Sequence, residues 1–164
     1  MALSLLDFDG APKGDLIYCS CAKTKVAGQG KSYYELIADP GTTPKVVVVV
    51  NKGNHFGYPE LQKEFEIEGK TVKELQKELK ARKIYKLDGY SLDEAITGGT
   101  IYRMYMEYSS GKKVNIQWYG HGVSPEVQKA YHFLESFFSR WEINPEDPAC
   151  NPPEEEEGEE EVLP

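Results

Sequence analysis

Residues 45–51 read Lys-Val-Val-Val-Val-Val-Asn, the longest apolar run in the chain. Branching at Cβ restricts χ1 and suits Val to a pleated strand. Five in a row without polar alternation predict a strand buried on both faces. Leu16–Ala22 and Tyr33–Ala38 are shorter apolar stretches bounded by turn residues, and also predict strands. Glu64–Glu68 alternates polar and apolar, as a half-exposed strand does. Ile101–Tyr108 and Lys112–Tyr119 flank Ser109-Ser110-Gly111 and predict a β-hairpin. In its second strand Val114, Ile116 and Trp118 share one side, and Lys113, Asn115 and Gln117 the other. One face of this sheet should therefore meet water.

Two longer segments have helical spacing. Thr71-Val72-Lys73-Glu74 is a capping-box sequence, in which Thr71 accepts from a backbone N–H and Glu74 reaches back. It predicts a helix to about Arg82 with Val72, Leu75 and Leu79 inward. Ser91-Leu92-Asp93-Glu94 is a second such box and predicts a short helix before Gly98-Gly99, while Ile84–Leu87 reads as extended. Ser124-Pro125-Glu126 supplies an N-cap, a proline at the first helical position and an acid in the first turn. Val127, Ala130, Tyr131, Leu134, Phe137, Phe138 and Trp141 follow as one stripe, and Asn144-Pro145 ends it. Tyr102, Met104, Met106 and Tyr108 read as the core beneath that stripe. The expected fold class is α+β: an antiparallel sheet with one face covered by two main helices.

Charge divides the chain in two. Of 164 residues, 142–164 hold ten acids and no Lys or Arg, so the net charge of −8 hides a body of about +2. That segment also carries five prolines and too little apolar surface to offset the entropy of ordering. We therefore expect one domain over residues 1–143 and a disordered acidic tail over 144–164. No stretch is long and apolar enough to span a membrane. Met1–Leu6 has no basic start and no adequate apolar core, so the expectation is no signal peptide. Cys19, Cys21 and Cys150 are odd in number and irregularly spaced, unlike a disulfide framework.

Candidate chemistry is sparse. Asp7, Asp9 and Asp15 open like an EF-hand loop, but Gly10 falls at loop position four and Tyr18 at twelve, so that motif is rejected. His55, His121 and His132 lack the spacing of a zinc site. Gly28-Gln29-Gly30-Lys31-Ser32 lacks the earlier glycine of a phosphate loop. Lys70, Lys73, Lys77, Lys80, Arg82, Lys83 and Lys86 form the most basic stretch, with Lys73, Lys77 and Lys80 along one helical face. Glu74 and Glu78 stand at pairing distance along the helix from Lys77 and Arg82. No nucleic-acid motif accompanies these cations, so nucleic acid is not the expected partner. The acidic tail is a natural counterpart for them.

Two local resemblances stand out. Leu5-Leu6-Asp7-Phe8-Asp9-Gly10 resembles the first motif of haloacid-dehalogenase-type phosphatases. That resemblance implies Asp7 as nucleophile and Asp9 as acid/base, although Ala11 stands where that family usually has Thr. Leu87-Asp88-Gly89-Tyr90, Ser110-Gly111-Lys112, and Tyr119-Gly120 before Pro125 and a closing helix resemble uncharacterised bacterial lipoprotein-like domains. This second resemblance, over roughly residues 32–140, implies an envelope-associated, non-enzymatic domain with no catalytic residue to carry over. Outside it, the expected location is cytoplasmic.

The sequence thus reads as a non-catalytic binding or interaction module without cofactor or metal, with another protein as the expected partner. Its expected contact residues are Lys73, Lys77, Lys80, Tyr119 and His121. The alternative is a small metal-assisted phosphoester hydrolase using Asp7 and Asp9.

Overall fold

The computed structural model describes residues 10–25, 31–51, 61–93, 99–119 and 122–141. Its strands are β1 (Leu16–Lys25), β2 (Lys31–Ile37), β3 (Lys45–Asn51), β4 (Leu61–Glu66), β5 (Ser91–Asp93), β6 (Thr100–Tyr108) and β7 (Lys113–Tyr119). The helices are α1 (Gly69–Ala81), between β4 and β5, and α2 (Pro125–Phe138), after β7. The strands form one sheet in the order β4-β3-β2-β1-β6-β7-β5. Every pairing is antiparallel except β5 with β7, so the class is mixed α and β with a mostly antiparallel sheet.

Alternation along the strands sorts the side chains. Cys19 and Cys21 of β1 point the same way as Leu36 of β2, Val46 and Val48 of β3, and Met104 and Met106 of β6. All are buried, and they share one core with Val72, Leu75 and Leu79 of α1 and with Val127, Leu134 and Phe138 of α2. Burying a side chain of this size is worth about 1.5–3 kcal/mol, so this core outweighs any local propensity. Tyr102 behaves as expected for a residue beneath α2: it stacks on Trp118 at 5.1 Å and meets Tyr131 edge-on at 5.0 Å. The five-valine strand is also as expected. Val46 and Val48 enter the core, whereas Val47 and Val49 are buried outside it.

Four expectations about boundaries are corrected. First, α1 begins at Gly69 with Glu68 at its N-cap and no side-chain cap. Thr71 donates its N–H to Glu68 O at 3.0 Å, so it lies inside the first turn and the capping box does not form there. Only Ile67 and Glu68 separate strand from helix, and the chain must turn at once. Second, the strand before it is Leu61–Glu66 rather than Glu64–Glu68, an exposed edge paired with β3. Third, Ile84–Leu87 is a 3₁₀ turn with Ile84 and Tyr85 buried, not an extended piece. Fourth, Ser91–Asp93 is a strand rather than a helix start. Gly89 N–H donates to Asn115 O, and Gln117 N–H to Tyr90 O, so the edge of β7 captures this backbone.

The start of α2 follows its sequence. Ser124 Oγ accepts from Val127 N–H at 3.4 Å and Pro125 takes the first helical position. A 3₁₀ turn, Ser139–Trp141, ends the described chain. Among the described residues no helix is long and apolar enough to cross a membrane.

Candidate functional site

The face of the sheet opposite the shared core is built from the other half of each strand. On β1 these positions are Tyr18, Ser20, Ala22 and Thr24. Ser20 stands between Glu35 of β2 and Tyr105 of β6, and Ala22 between Tyr33 and Arg103. Arg103 in turn faces Gln117 of β7, and Tyr105 faces Asn115. Of these, Tyr18, Ser20, Tyr33, Arg103, Tyr105 and Gln117 are among the side chains that line a shallow recess of about 690 Å³ over the middle of the sheet.

Three tyrosines and an arginine are its largest side chains. The hydroxyls of Tyr18 and Tyr33 lie 2.5 Å apart, and Tyr105 Oη donates to Glu107 Oε1 at 2.5 Å. The rings of Tyr18 and Tyr105 meet edge-on at 5.8 Å. The Arg103 guanidinium lies over the Tyr105 ring at 5.0 Å, while its Nε donates to Asn115 Oδ1 at 3.3 Å. Tyr18, Tyr33, Arg103 and Tyr105 are each held by a neighbour on the same face, so this part of the surface is pre-organised. Little rotamer entropy remains to be lost on binding.

Partial burial, then the hydrogen bond to and charge of Glu107, push the Tyr105 phenol up to about 12. Burial, then hydrogen bonds to Tyr33 and Glu35, raises Tyr18 well above the ordinary phenol range. Burial raises Tyr33 too. All three phenols are therefore neutral hydroxyls at physiological pH. They can donate, accept and stack, but they are not poised as bases or nucleophiles.

The expected residues fall in different places. Tyr119 lies on this same face, opposite Ile101 and two residues beyond Gln117. Lys73, Lys77 and Lys80 are exposed on α1, and Lys73 and Lys77 line a separate recess of about 460 Å³. His121, Asp7 and Asp9 lie outside the described residues, as does His55. His132 is exposed on α2 beside Tyr131.

Cys19 is wholly buried, and burial raises its thiol far from the thiolate range, which makes it a packing residue. Among the described residues no group of three or more His, Cys, Asp or Glu is placed to hold a metal ion. The segments Leu87–Tyr90 and Ser110–Lys112 do come together. Asp88 accepts from Lys112 Nζ at 3.0 Å and from Asn115 N–H at 2.8 Å, which pins the turn to the hairpin.

Tyr18, Tyr33, Arg103 and Tyr105 were absent from the contacts expected from sequence. The signal that could have found them is the period of two in β1 and β6. Cys19, Cys21, Met104 and Met106 go inward, so their neighbours must be outward, and those neighbours are unusually aromatic for a water-facing side. No family model matches the chain, and no curated protein matches it.

Proposed function

We propose that this chain is a non-catalytic interaction module that binds another protein across the open face of its sheet. The observation that carries this reading is the cluster of Tyr18, Tyr33, Tyr105 and Arg103 around the 690 Å³ recess. Tyr and Arg are the side chains most enriched where binding energy concentrates, because each joins a large contact area to a polar handle. The reading takes both helices to cover the other face, which leaves the recess on this one open, while Val47 and Val49 of β3 on the same face are already buried. Its cations and carboxylates are mixed: Lys45 pairs with Glu64 at 3.4 Å, and Arg103 stands near Glu107. Such balance fits a protein surface better than the one-signed face that a phosphate backbone selects.

The test is parallel capture from the cells that make this protein, with wild-type chain, Arg103→Glu and Lys73→Glu as baits. The reading expects a defined protein held by the wild type and by Lys73→Glu but lost with Arg103→Glu. Equal capture by all three baits would end it.

A further inference from the structure

A second surface runs along α1 and between α1 and α2. Three recesses run together along it. The first, of about 460 Å³, includes Lys73 and Lys77. The second, of about 470 Å³, lies between α1 and α2 and includes Lys77, Arg82 and Arg140. The third, of about 410 Å³, includes Arg82, Lys86 and Lys129. Lys77 belongs to the first and second and Arg82 to the second and third, so the three form one groove. Its carboxylates are Glu74, Glu78 and Glu126, and Glu78 is already paired with Arg82 at 3.2 Å. Cations therefore exceed acids along it.

In the second recess, two of the cations lie over aromatic rings. The Arg82 guanidinium lies 4.1 Å from the Phe133 ring centroid, and Arg140 lies 5.0 Å from that of Phe137. Trp141, the last described residue, packs against Phe137 at 5.3 Å. The ten-acid segment 142–164 thus leaves the fold at the rim of this groove.

We propose that the groove is a docking surface for an acidic polypeptide and that its occupant is this chain's own residues 142–164. Charge complementarity is one argument: ten carboxylates without a Lys or Arg meet a groove with surplus cations. Reach is the other. Twenty-three residues can extend about 75–80 Å, whereas the thirteen-residue α1 is about 20 Å long. Tethering also raises the local concentration of the segment to about the millimolar range. Individually weak, exposed charge pairs then act together, and all are weakened by salt.

The full-length chain carries its own probe position. Cys150 lies within the acidic segment, while Cys19 and Cys21 are buried and resist a thiol reagent. A nitroxide attached at Cys150 broadens amide signals near it. At low ionic strength, the amides of residues 70–86 and of Lys129 should broaden several-fold more than those of β6 and β7. This excess should vanish at about 1 M salt, where charges are screened within about 3 Å. It should also shrink several-fold in a Lys73→Gln/Lys77→Gln chain, whose changes are exposed and leave the core untouched. Broadening that is confined to the end of α2 and indifferent to salt would overturn the proposal, because tethering alone produces it. Broadening of unlabelled, isotope-enriched chains mixed with labelled ones would also overturn it, since docking would then be between copies.

Discussion

The hydroxyls of Tyr18 and Tyr33 meet at 2.5 Å across two neighbouring strands although the residues are not register partners. Tyr18 stands opposite Ile37 and Tyr33 opposite Ala22, so the two side chains lean toward each other along the strands. Ser20 lies between Tyr18 and Ala22 and is only 4% exposed. The centre of the open face is therefore roofed by two linked phenols. Removing one hydroxyl should loosen both. Tyr18→Phe is expected to cost about 1 kcal/mol in chemical denaturation, the usual net value of one hydrogen bond. It should weaken partner capture by more than that loss of stability explains. Unchanged capture would separate this pair from binding.

Buried acids make the fold sensitive to alkali. Burial holds Cys21 at about 12 against an ordinary 9.0, and burial raises Tyr108 and Tyr131 above the usual phenol range. In each case the folded chain keeps its proton to a higher pH than the unfolded chain does. Their contribution to stability is complete below about pH 9 and is lost as pH rises through the folded values. Each group can remove up to about 1.4 kcal/mol per pH unit within its own window. Urea midpoints should be level from about pH 7 to 9 and fall steeply above it. A midpoint that stays level to about pH 11 would contradict the burial of these groups.

Gln76 ties α1 to the first strand. Its Oε1 accepts from Leu16 N–H at 2.9 Å and its Nε2 donates to Gly14 O at 3.1 Å. Gln76→Ala leaves the Leu16 N–H without this acceptor at the start of the central strand. The expected cost is about 1–3 kcal/mol, read as a lower urea midpoint with an unchanged slope. A loss below a few tenths would mean that water replaces the side chain without penalty.

Lys83 follows the end of α1 with φ 54 and ψ 37, in the left-handed region. It is the one non-glycine residue with positive φ among those described. Glycine has no Cβ to clash in that conformation and is the usual residue just past a helix. Lys83→Gly should therefore raise stability by up to about 1 kcal/mol, measured by the same unfolding titration. Because Lys83 is exposed, a destabilised variant would mean that its side chain contributes a contact beyond its backbone geometry.

Much of the architecture could be read before any coordinates. The five valines, the hairpin and the Ser124-Pro125 start are places where local preference and tertiary packing agree. Sequence reasoning failed where a neighbouring element decided the outcome. Ser91-Leu92-Asp93-Glu94 satisfies a helix-start pattern, but residues 91–93 pair instead with β7, more than twenty residues on in the chain, and become the edge of the sheet. Little of the candidate site was legible: Tyr119 lies on the open face but outside the lining of the recess, and Lys73, Lys77 and Lys80 lie on α1. Gln76 was passed over because its importance lies in two backbone groups sixty or more residues away in the chain.

The most direct measurement is site-specific photocrosslinking from the open face. Gln117 is exposed and lines the recess, so a benzoylphenylalanine placed there samples whatever binds it. The same group at Lys73 samples the helix surface. The account predicts one discrete protein adduct from position 117, none of that mass from position 73, and its loss when Arg103→Glu is added. The same adduct from both positions, or an adduct from 117 that survives Arg103→Glu, would contradict a binding site on the sheet.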